Sequence, residues 1–331
     1  MRAVWYEATG VADDVLQCGD MASPKPGPGE VRVRLATSGV NPVDTKRRLG
    51  GRGPMDAPRV VPHFDGAGLI DAVGDGVDGV DGGRVGQRVW VYDAQWQRPG
   101  GTAAEFTTVP AVCAVPLPDG TSFAEGACLG IPALTAYGCL FGDGSVAGKT
   151  VLVTGAAGAV GRYAVQFAKL DGATVVATVS GDEKAILAKA AGADHVINYK
   201  TEDVAARIGT STGGGVDRIV EVEFGGNLPT SLKALNVGGT IAAYASDAVR
   251  EPVVPFYPLA YKQISLCQVL VFLLSGTAKA QAVDDISRWM AAGQLSHHIG
   301  PRFALEDAVA AHQAVEGHAV GKVLLDIATL D

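Results

Sequence analysis

The stretch VLVTGAAGAVGRYAVQFAKL, Val151 to Leu170, constrains the fold of this chain more than any other. An apolar run leads into Gly155, Gly158 and Gly161, spaced three apart, and then into a segment with Val160, Ala164, Phe167 and Ala168 on one helical face. A strand, a glycine turn and a helix in that order leave unpaired backbone N–H groups and the positive end of a helix dipole where an anion can sit. Ala156 stands where the first glycine of G-x-G-x-x-G would be. Gly158 lets backbone approach a pyrophosphate, and Gly161 permits close helix-to-sheet packing. The turn also stands first among alternating strand and helix segments, the context that marks dinucleotide binding rather than an ordinary tight turn.

Those later strands are ATVVATV, HVINY, VDRIVEVE, TIAAYAS and ISLCQVLVF, separated by helix-length segments such as DEKAILAKAAG, TEDVAARIG and NLPTSLKALNVG. With TVLVT before the turn they predict a six-stranded, parallel, doubly wound α/β sheet with right-handed crossovers. The chain before about residue 127 has a different texture. Val31, Val33 and Leu35 alternate with Glu30, Arg32 and Arg34 after the turn PKPGPG, and FDGAGLIDAVG, GQRVWVY and AAEFTTVP continue in the same style. This part predicts a small, turn-rich β domain. Near the C-terminus, AQAVDDISRWMAAG and LEDAVAAHQAVEG read as helices and GKVLLDI as a strand placed to close back onto the first domain.

At 331 residues, 47% hydrophobic and 19% charged, the chain can bury a large core in two domains or one big one. Its most apolar piece, ISLCQVLVFLL, falls short of the roughly 18 residues of a membrane span and reads as a buried strand with its continuation. MRAVWYEATG lacks the apolar core of a secretory signal, so the expectation is a cytoplasmic protein. Cys18, Cys113, Cys128, Cys139 and Cys267 are too scattered for a disulfide framework or a metal knuckle and read as buried thiols. A formal net charge of −8 argues against a nucleic-acid partner and leaves small molecules.

An NAD site usually has an acid at the end of the second strand, about 20 residues past the turn, to hold the ribose hydroxyls. Here that place reads Val179-Ser180-Gly181-Asp182-Glu183-Lys184. Ser180 and Glu183 have capping-box spacing, which assigns the acids to the start of the next helix. With no strand-end carboxylate to repel it, a 2′-phosphate finds hydroxyl and ammonium donors in Ser180, Lys184 and Tyr199, and the cofactor expected is NADPH. The alternative for Lys184 is a solvated helix lysine.

Several segments in register resemble the medium-chain dehydrogenase/reductase superfamily, and within it the zinc-lacking quinone oxidoreductases similar to zeta-crystallin. They are SGVNPVDTKRR, HFDGAGLIDAVGDGV, LGIPALTAYGCLF, the VTGAAGAVG turn and GADHVINYKTED. The resemblance implies a GroES-like β-barrel-type catalytic domain from residues 1–126 and 264–331, a Rossmann domain over 127–263, and NADPH in the cleft. It also implies a homodimer formed through the sixth Rossmann strand, ISLCQVLVF.

Zinc alcohol dehydrogenases of this superfamily hold a catalytic metal with Cys, His and Cys or Asp. At those positions this chain has the serine and valine around Asn41, then Phe64, then Ile131, while YDAQWQRPGG replaces the cysteine-rich loop of the structural zinc. No metal is expected. His297, His298, His312 and His318 read as solvated or helix-end residues rather than ligands. By resemblance, Asn41 and Thr135 lie beside the nicotinamide and its ribose, and Ala157, Gly158, Ala159 and Val160 face the pyrophosphate. Ser180, Lys184 and Tyr199 take the adenosine phosphate, and Glu223, Phe224, Ala245, Ser246 and Phe272 line the other side. Lys46 stands where many relatives have a tyrosine and is, with Asn41, the catalytic candidate; its plain reading is a loop lysine. Asp65 reads as a structural hydrogen-bond acceptor.

Without a Lewis acid the chemistry expected is hydride delivery to an electron-poor acceptor, a quinone or an α,β-unsaturated carbonyl such as an enone. The basic run Lys46, Arg47, Arg48, Arg52 and Arg59 leaves two alternatives open, a solvated face or a surface for an enoyl thioester. A non-catalytic NADPH-binding module is the reading from a different class.

Overall fold

The alternation at Glu30 to Leu35 does build a strand with one wet face. The computed structural model describes residues 1–330 apart from Arg52, Asp56 and 78–82. It divides into two compact units, Met1–Ile131 with Val283–Asp331, and Pro132–Ala282.

The first unit opens with β1 (Arg2–Trp5), the one-turn α1 (Ala12–Val15) and β2 (Gln17–Asp20), β1 and β2 forming an antiparallel pair. Then come β3 (Glu30–Val40), α2 (Pro42–Arg48), β4 (Asp65–Val73), β5 (Arg88–Val91), β6 (Phe106–Pro110), β7 (Ala114–Pro116) and α3 (Phe123–Gly126). In β3, Val31, Val33 and Leu35 are buried while Arg32 on the other face forms a forked ion pair with Asp71 of β4, at 2.9 Å on both branches. β3 is the centre of this sheet, pairing antiparallel with β4, β6 and the C-terminal β15 (Lys322–Asp326). β14 (Ile299–Ala304) lies outside β15, and α11 (Ala308–Glu316) connects the two. The core beneath includes Val4, Val40, Leu305, Ala311, Val323 and Leu325, so both ends of the chain build one interior.

The second unit follows α4 (Gly130–Phe141), the helix that leads into it. Its elements are β8 (Thr150–Val153), α5 (Ala159–Leu170), β9 (Thr174–Val179), α6 (Asp182–Ala190), β10 (His195–Asn198), α7 (Val204–Thr212), β11 (Val216–Glu221), α8 (Phe224–Ala234), β12 (Leu235–Ala243), α9 (Phe256–Lys262) and β13 (Ser265–Gln268). α10 (Gly276–Ala291) follows. All the pairings are parallel, in the order β10-β9-β8-β11-β12-β13. That is the Rossmann order, reversing direction between β8 and β11, where ligands bind beyond the strand ends. Leu152, Val176, Ile197, Ile219 and Ile241 fill the core from successive strands.

Three expectations need correction. ISLCQVLVFLL is not a buried strand: β13 is an exposed sheet edge, and the chain then passes through a single 3-10 turn at Val271–Leu273. Cys18 and Cys267 are exposed, so only three of the five thiols are buried. His312 is fully buried, because α11 is covered by α2 and the sheet on the side that carries it. No helix among the described residues is long and apolar enough to cross a membrane.

Candidate cofactor-binding and catalytic residues

In the second unit the candidate residues gather at the carboxyl ends of the parallel strands. Gly155 turns the chain after β8 with φ +63°, a left-handed conformation that favours glycine. Gly158 is the N-cap of α5, so the first-turn N–H groups of Ala159, Val160 and Gly161 have no acceptor within the helix and are available to an anion. A Cβ on Gly161 would lie 2.4 Å from the Gly155 carbonyl oxygen and 2.8 Å from Ala156 Cα, which shows how closely the helix sits on the turn.

Ser180 follows β9 directly, and the backbone N–H of Tyr199 donates to Val179 O at 3.1 Å, bringing the end of β10 alongside. The N-cap of α6 is Gly181, not Ser180, and no side chain caps this helix. The expected Ser180/Glu183 capping box is therefore absent: the helix begins one residue later than the spacing implied. The Ser180 hydroxyl is left over for another partner, with Lys184 half-buried in the first turn of α6 and Tyr199 exposed. The acids here, Asp182 and Glu183, belong to that first helical turn.

Glu223, Phe224, Ala245 and Ser246 are brought together by a network the sequence did not reveal. The Glu223 carboxylate caps α8 and accepts backbone N–H groups of Asp247 (2.7 Å), Ala248 (3.0 Å), Val249 (3.3 Å) and Gly226 (3.3 Å). Partial burial opposes its charge, yet these bonds hold it below the usual carboxylate range. Ser246 Oγ accepts Gly225 N–H and donates to Val249 O, while Phe224 N–H donates to Ala245 O. Beneath them the buried Glu221 accepts Thr154 Oγ1, Glu223 N–H and Asn227 Nδ2, each at 2.8 Å, tying the ends of β8 and β11 together. Phe272 is buried on its 3-10 turn.

In the first unit Asn41 begins α2 and Lys46 lies, half-buried, in its last turn. Asn41 belongs to a buried polar cluster. Its Nδ2 donates to Asp65 Oδ2 at 2.7 Å, its Oδ1 accepts the ammonium of Lys322, and Lys322 Nζ also donates to Asp65 Oδ2 at 2.8 Å. The other oxygen of Asp65 accepts Ile131 N–H at 2.9 Å. Asp44, also buried, accepts Asn41 N–H at 2.6 Å. Burial pushes the Asp44 carboxyl up to about 8, the charge of Asp65 adding to the rise while Asn41 N–H and Lys322 oppose it. Lys322 escaped the sequence reading because it stands 257 residues from Asp65, and a lysine opening an apolar strand normally points into water.

A second buried chain runs beside this cluster, and its hydrogen-bond directions are fixed by chemistry. Arg48 can only donate, so His312 Nδ1 accepts its Nε–H at 3.3 Å and His312 carries its proton on Nε2. That proton points at His63 Nε2, 2.9 Å away, so His63 is protonated on Nδ1 and donates to Ser38 Oγ at 2.9 Å. Ser38 then donates to Thr102 Oγ1 (2.7 Å) and Thr102 to the backbone carbonyl of Asp65 (2.6 Å). Burial lowers His63 well below the usual range and takes His312 down to about 3, the Arg48 charge helping in the latter case. Both rings are neutral. Arg48 itself is buried and ion-paired to Glu316, so it is no part of a solvated basic face; Arg59 pairs with Glu7, and Arg52 lies outside the described residues.

The donors around Asp65 do not suit zinc. Phe64 and Ile131 have no ligating atom, and both oxygens of Asp65 are committed, one of them to an ammonium. Among the described residues no group of three or more His, Cys, Asp or Glu side chains is placed to hold a metal.

A Rossmann sheet with its glycine turn, joined in one chain to a β-rich unit built from both termini, defines the class of medium-chain dehydrogenases/reductases. Residues 27–119 match the alcohol dehydrogenase GroES-like domain and residues 159–288 the zinc-binding dehydrogenase domain. A rat quinone oxidoreductase is 32% identical, the match covering 98% of this chain and 96% of that protein. A 2-haloacrylate reductase from a Burkholderia species is 32% identical across 91% of each chain. A mycobacterial protein solved in complex with NADPH is 32% identical with a TM-score of 0.87, over 98% of this chain and 99% of that one. A structure described as an NAD-dependent alcohol dehydrogenase is 31% identical with a TM-score of 0.89, over 99% and 100%. The chain belongs to the quinone oxidoreductase family of the medium-chain dehydrogenases/reductases.

Proposed function

We propose that this protein is a zinc-independent, NADPH-dependent reductase of quinones or α,β-unsaturated carbonyls. The observation that carries the cofactor choice is the end of β9. Ser180 is released from capping, Lys184 and Tyr199 stand beside it, and the nearby acids are taken up by the first turn of α6. The N–H groups of Ala159, Val160 and Gly161 would hold the pyrophosphate; Glu223 and Ser246 would shape the loops around the rest of the cofactor rather than bind it through their own polar atoms. Bound reduced nicotinamide supplies a hydride. Asn41 and Thr135 would orient the cofactor, and an acceptor electron-poor enough to react without metal activation meets the limits of the donor set. The names of the rat and Burkholderia relatives support that acceptor class, a quinone in one case and an activated alkene in the other. The enoyl-thioester alternative loses support from the basic run, since Arg48 is spent internally and Arg59 on Glu7.

Lys184→Ala is expected to weaken NADPH roughly 10- to 100-fold, the loss of one charge-assisted contact to phosphate, with little change for NADH. Equal losses for both cofactors would remove Lys184 from the phosphate site, and a wild-type preference for NADH would overturn the cofactor choice. Steady-state rates with p-quinones, small enones and crotonyl-CoA test the acceptor. No turnover with the first two would discard this reading, and NADPH binding with no turnover on any acceptor would favour a binding module.

The exposed edge of β13, with Phe256 (72% exposed), Tyr257 and Tyr261 (81% exposed) on α9, supports a homodimer in which a second copy covers this face. Light scattering should give twice the chain mass for the wild type and the single-chain mass for Tyr261→Glu. A monomeric wild type at micromolar concentration would rule the dimer out.

A further inference from the structure

We propose that Lys322 is a positioning residue of the reductase, an internal cation that fixes the side chain of Asn41 through a shared contact with Asp65. This rests on the reading above, in which Asn41 orients the cofactor.

The site is built for a lysine. Lys322 opens β15, whose register against β3 pairs Val323 with Val40 and Leu324 with Gly39. Its stem passes over Gly39, where a Cβ would lie 2.7 Å from Lys322 Cε, as well as 2.3 Å from the carbonyl oxygen of Ala127. The ammonium ends between Asp65 Oδ2 and Asn41 Oδ1, with both Lys322 and Asp65 almost wholly buried. Lysine donates and carboxylate accepts, so the Asn41 amide has one permitted orientation: oxygen towards Lys322, nitrogen towards Asp65. Turning it over would set N–H against ammonium and oxygen against carboxylate.

Charge balance favours the same arrangement. The pocket holds two carboxyl groups and one ammonium; Asp65 pairs with Lys322, and Asp44, which has no cation of its own here, keeps its proton near neutral pH. Removing the ammonium would leave Asp65 buried and unpaired, so it would take up a proton and become able to donate where it now only accepts. Asn41 would then lose both the contacts that orient it. The pocket's positive charge thus comes from the chain itself, in a family whose domain name refers to zinc.

The test compares wild type, Lys322→Met, Asp65→Asn and the double variant. Lys322→Met should lower kcat roughly 10- to 100-fold, the scale of a small misplacement near the reacting atoms, while the NADPH KM stays within about threefold. The double variant, which leaves no bare charge, should lose no more than Lys322→Met alone, because the two residues act as a unit. It also serves as the test if Lys322→Met fails to fold. In protein labelled with 15N-asparagine, the Asn41 side-chain signal, assigned by its loss in Asn41→Ala, should be slow to exchange with solvent in the wild type and fast in Lys322→Met and in the double variant. An unchanged Asn41 signal in Lys322→Met, or additive losses in the double variant, would overturn the proposal. Should the wild type turn over no acceptor, the functional reading falls by itself, and the Asn41 signal still decides the role of Lys322.

Discussion

Gly161→Ala is expected to be the most damaging small substitution in the nucleotide-binding unit. One methyl group is added, but every atom it meets within 3.0 Å belongs to the backbone of Gly155 and Ala156, which cannot rotate away as a side chain can. The start of α5 must lift off the turn after β8. Overpacking of this kind costs about 1–3 kcal/mol, and with rigid backbone as the obstacle the upper end applies. The same displacement moves the N–H groups of Ala159 and Val160 from where they would meet a pyrophosphate. We expect a fall in Tm of several degrees and at least a hundredfold loss of NADPH affinity by fluorescence titration. Gly158→Ala is the control. Gly158 has φ −75° and its Cβ would come no closer than 3.2 Å to the Gly155 carbonyl oxygen, so that variant should melt near the wild type. If Gly161→Ala kept wild-type melting and affinity, the close approach of α5 to the turn would be wrong.

The second large effect is a stability maximum near pH 6.5. Consider first His63 and His312, whose folded values lie below their unfolded value of 6.5, at about 3 for His312. As pH falls below 6.5 the unfolded chain takes up two protons that the folded chain refuses, so the stability these rings contribute is lost with acidification. Asp44 acts with the opposite sign. Its folded value of about 8 lies above the unfolded 3.8, so between these limits the folded chain holds one more proton and stability falls as pH rises. From about pH 4.5 to 6.5 the net difference approaches one proton, and stability climbs by about 1.4 kcal/mol per pH unit; from 6.5 to 8 only Asp44 counts, and it declines at a similar slope. Urea midpoints from pH 4.5 to 8.5 would trace this peak. Asp44→Asn should flatten the alkaline side, and His63→Gln with His312→Gln should remove the peak, leaving a stability that falls with rising pH across the range because only Asp44 remains. A wild-type curve that rises steadily to pH 8 would contradict the assignment of a protonated Asp44.

The Rossmann half was legible because its signals are local. A glycine turn after an apolar strand, and apolar-rich strands of four to nine residues separated by helix-length segments, specify parallel pairing whatever lies elsewhere in the chain. The residues proposed for the 2′-phosphate at the end of β9 rest on a signal of the same local kind, the side chains that stand where an acid is customary. The capping of α6 was misread because Ser180 and Gly181 are both acceptable helix starts, and spacing alone does not separate them. β13 misled for a related reason: an apolar run looks the same whether the sheet continues past it or stops there.

Sequence by itself determined the alternation of strands and helices in the Rossmann half, the glycine turn after its first strand and the absence of a ligating side chain at Phe64 and Ile131. Tertiary structure alone decided that Lys322 meets Asp65 and Asn41, that Arg48 reaches His312, and that His63 completes a hydrogen-bond chain to Thr102. Those partners lie tens to hundreds of residues apart, and burial forces them together: a charged or polar group removed from water must find its complement within the fold. A sequence shows which groups carry charge, but only the packed chain shows which of them have been taken out of water.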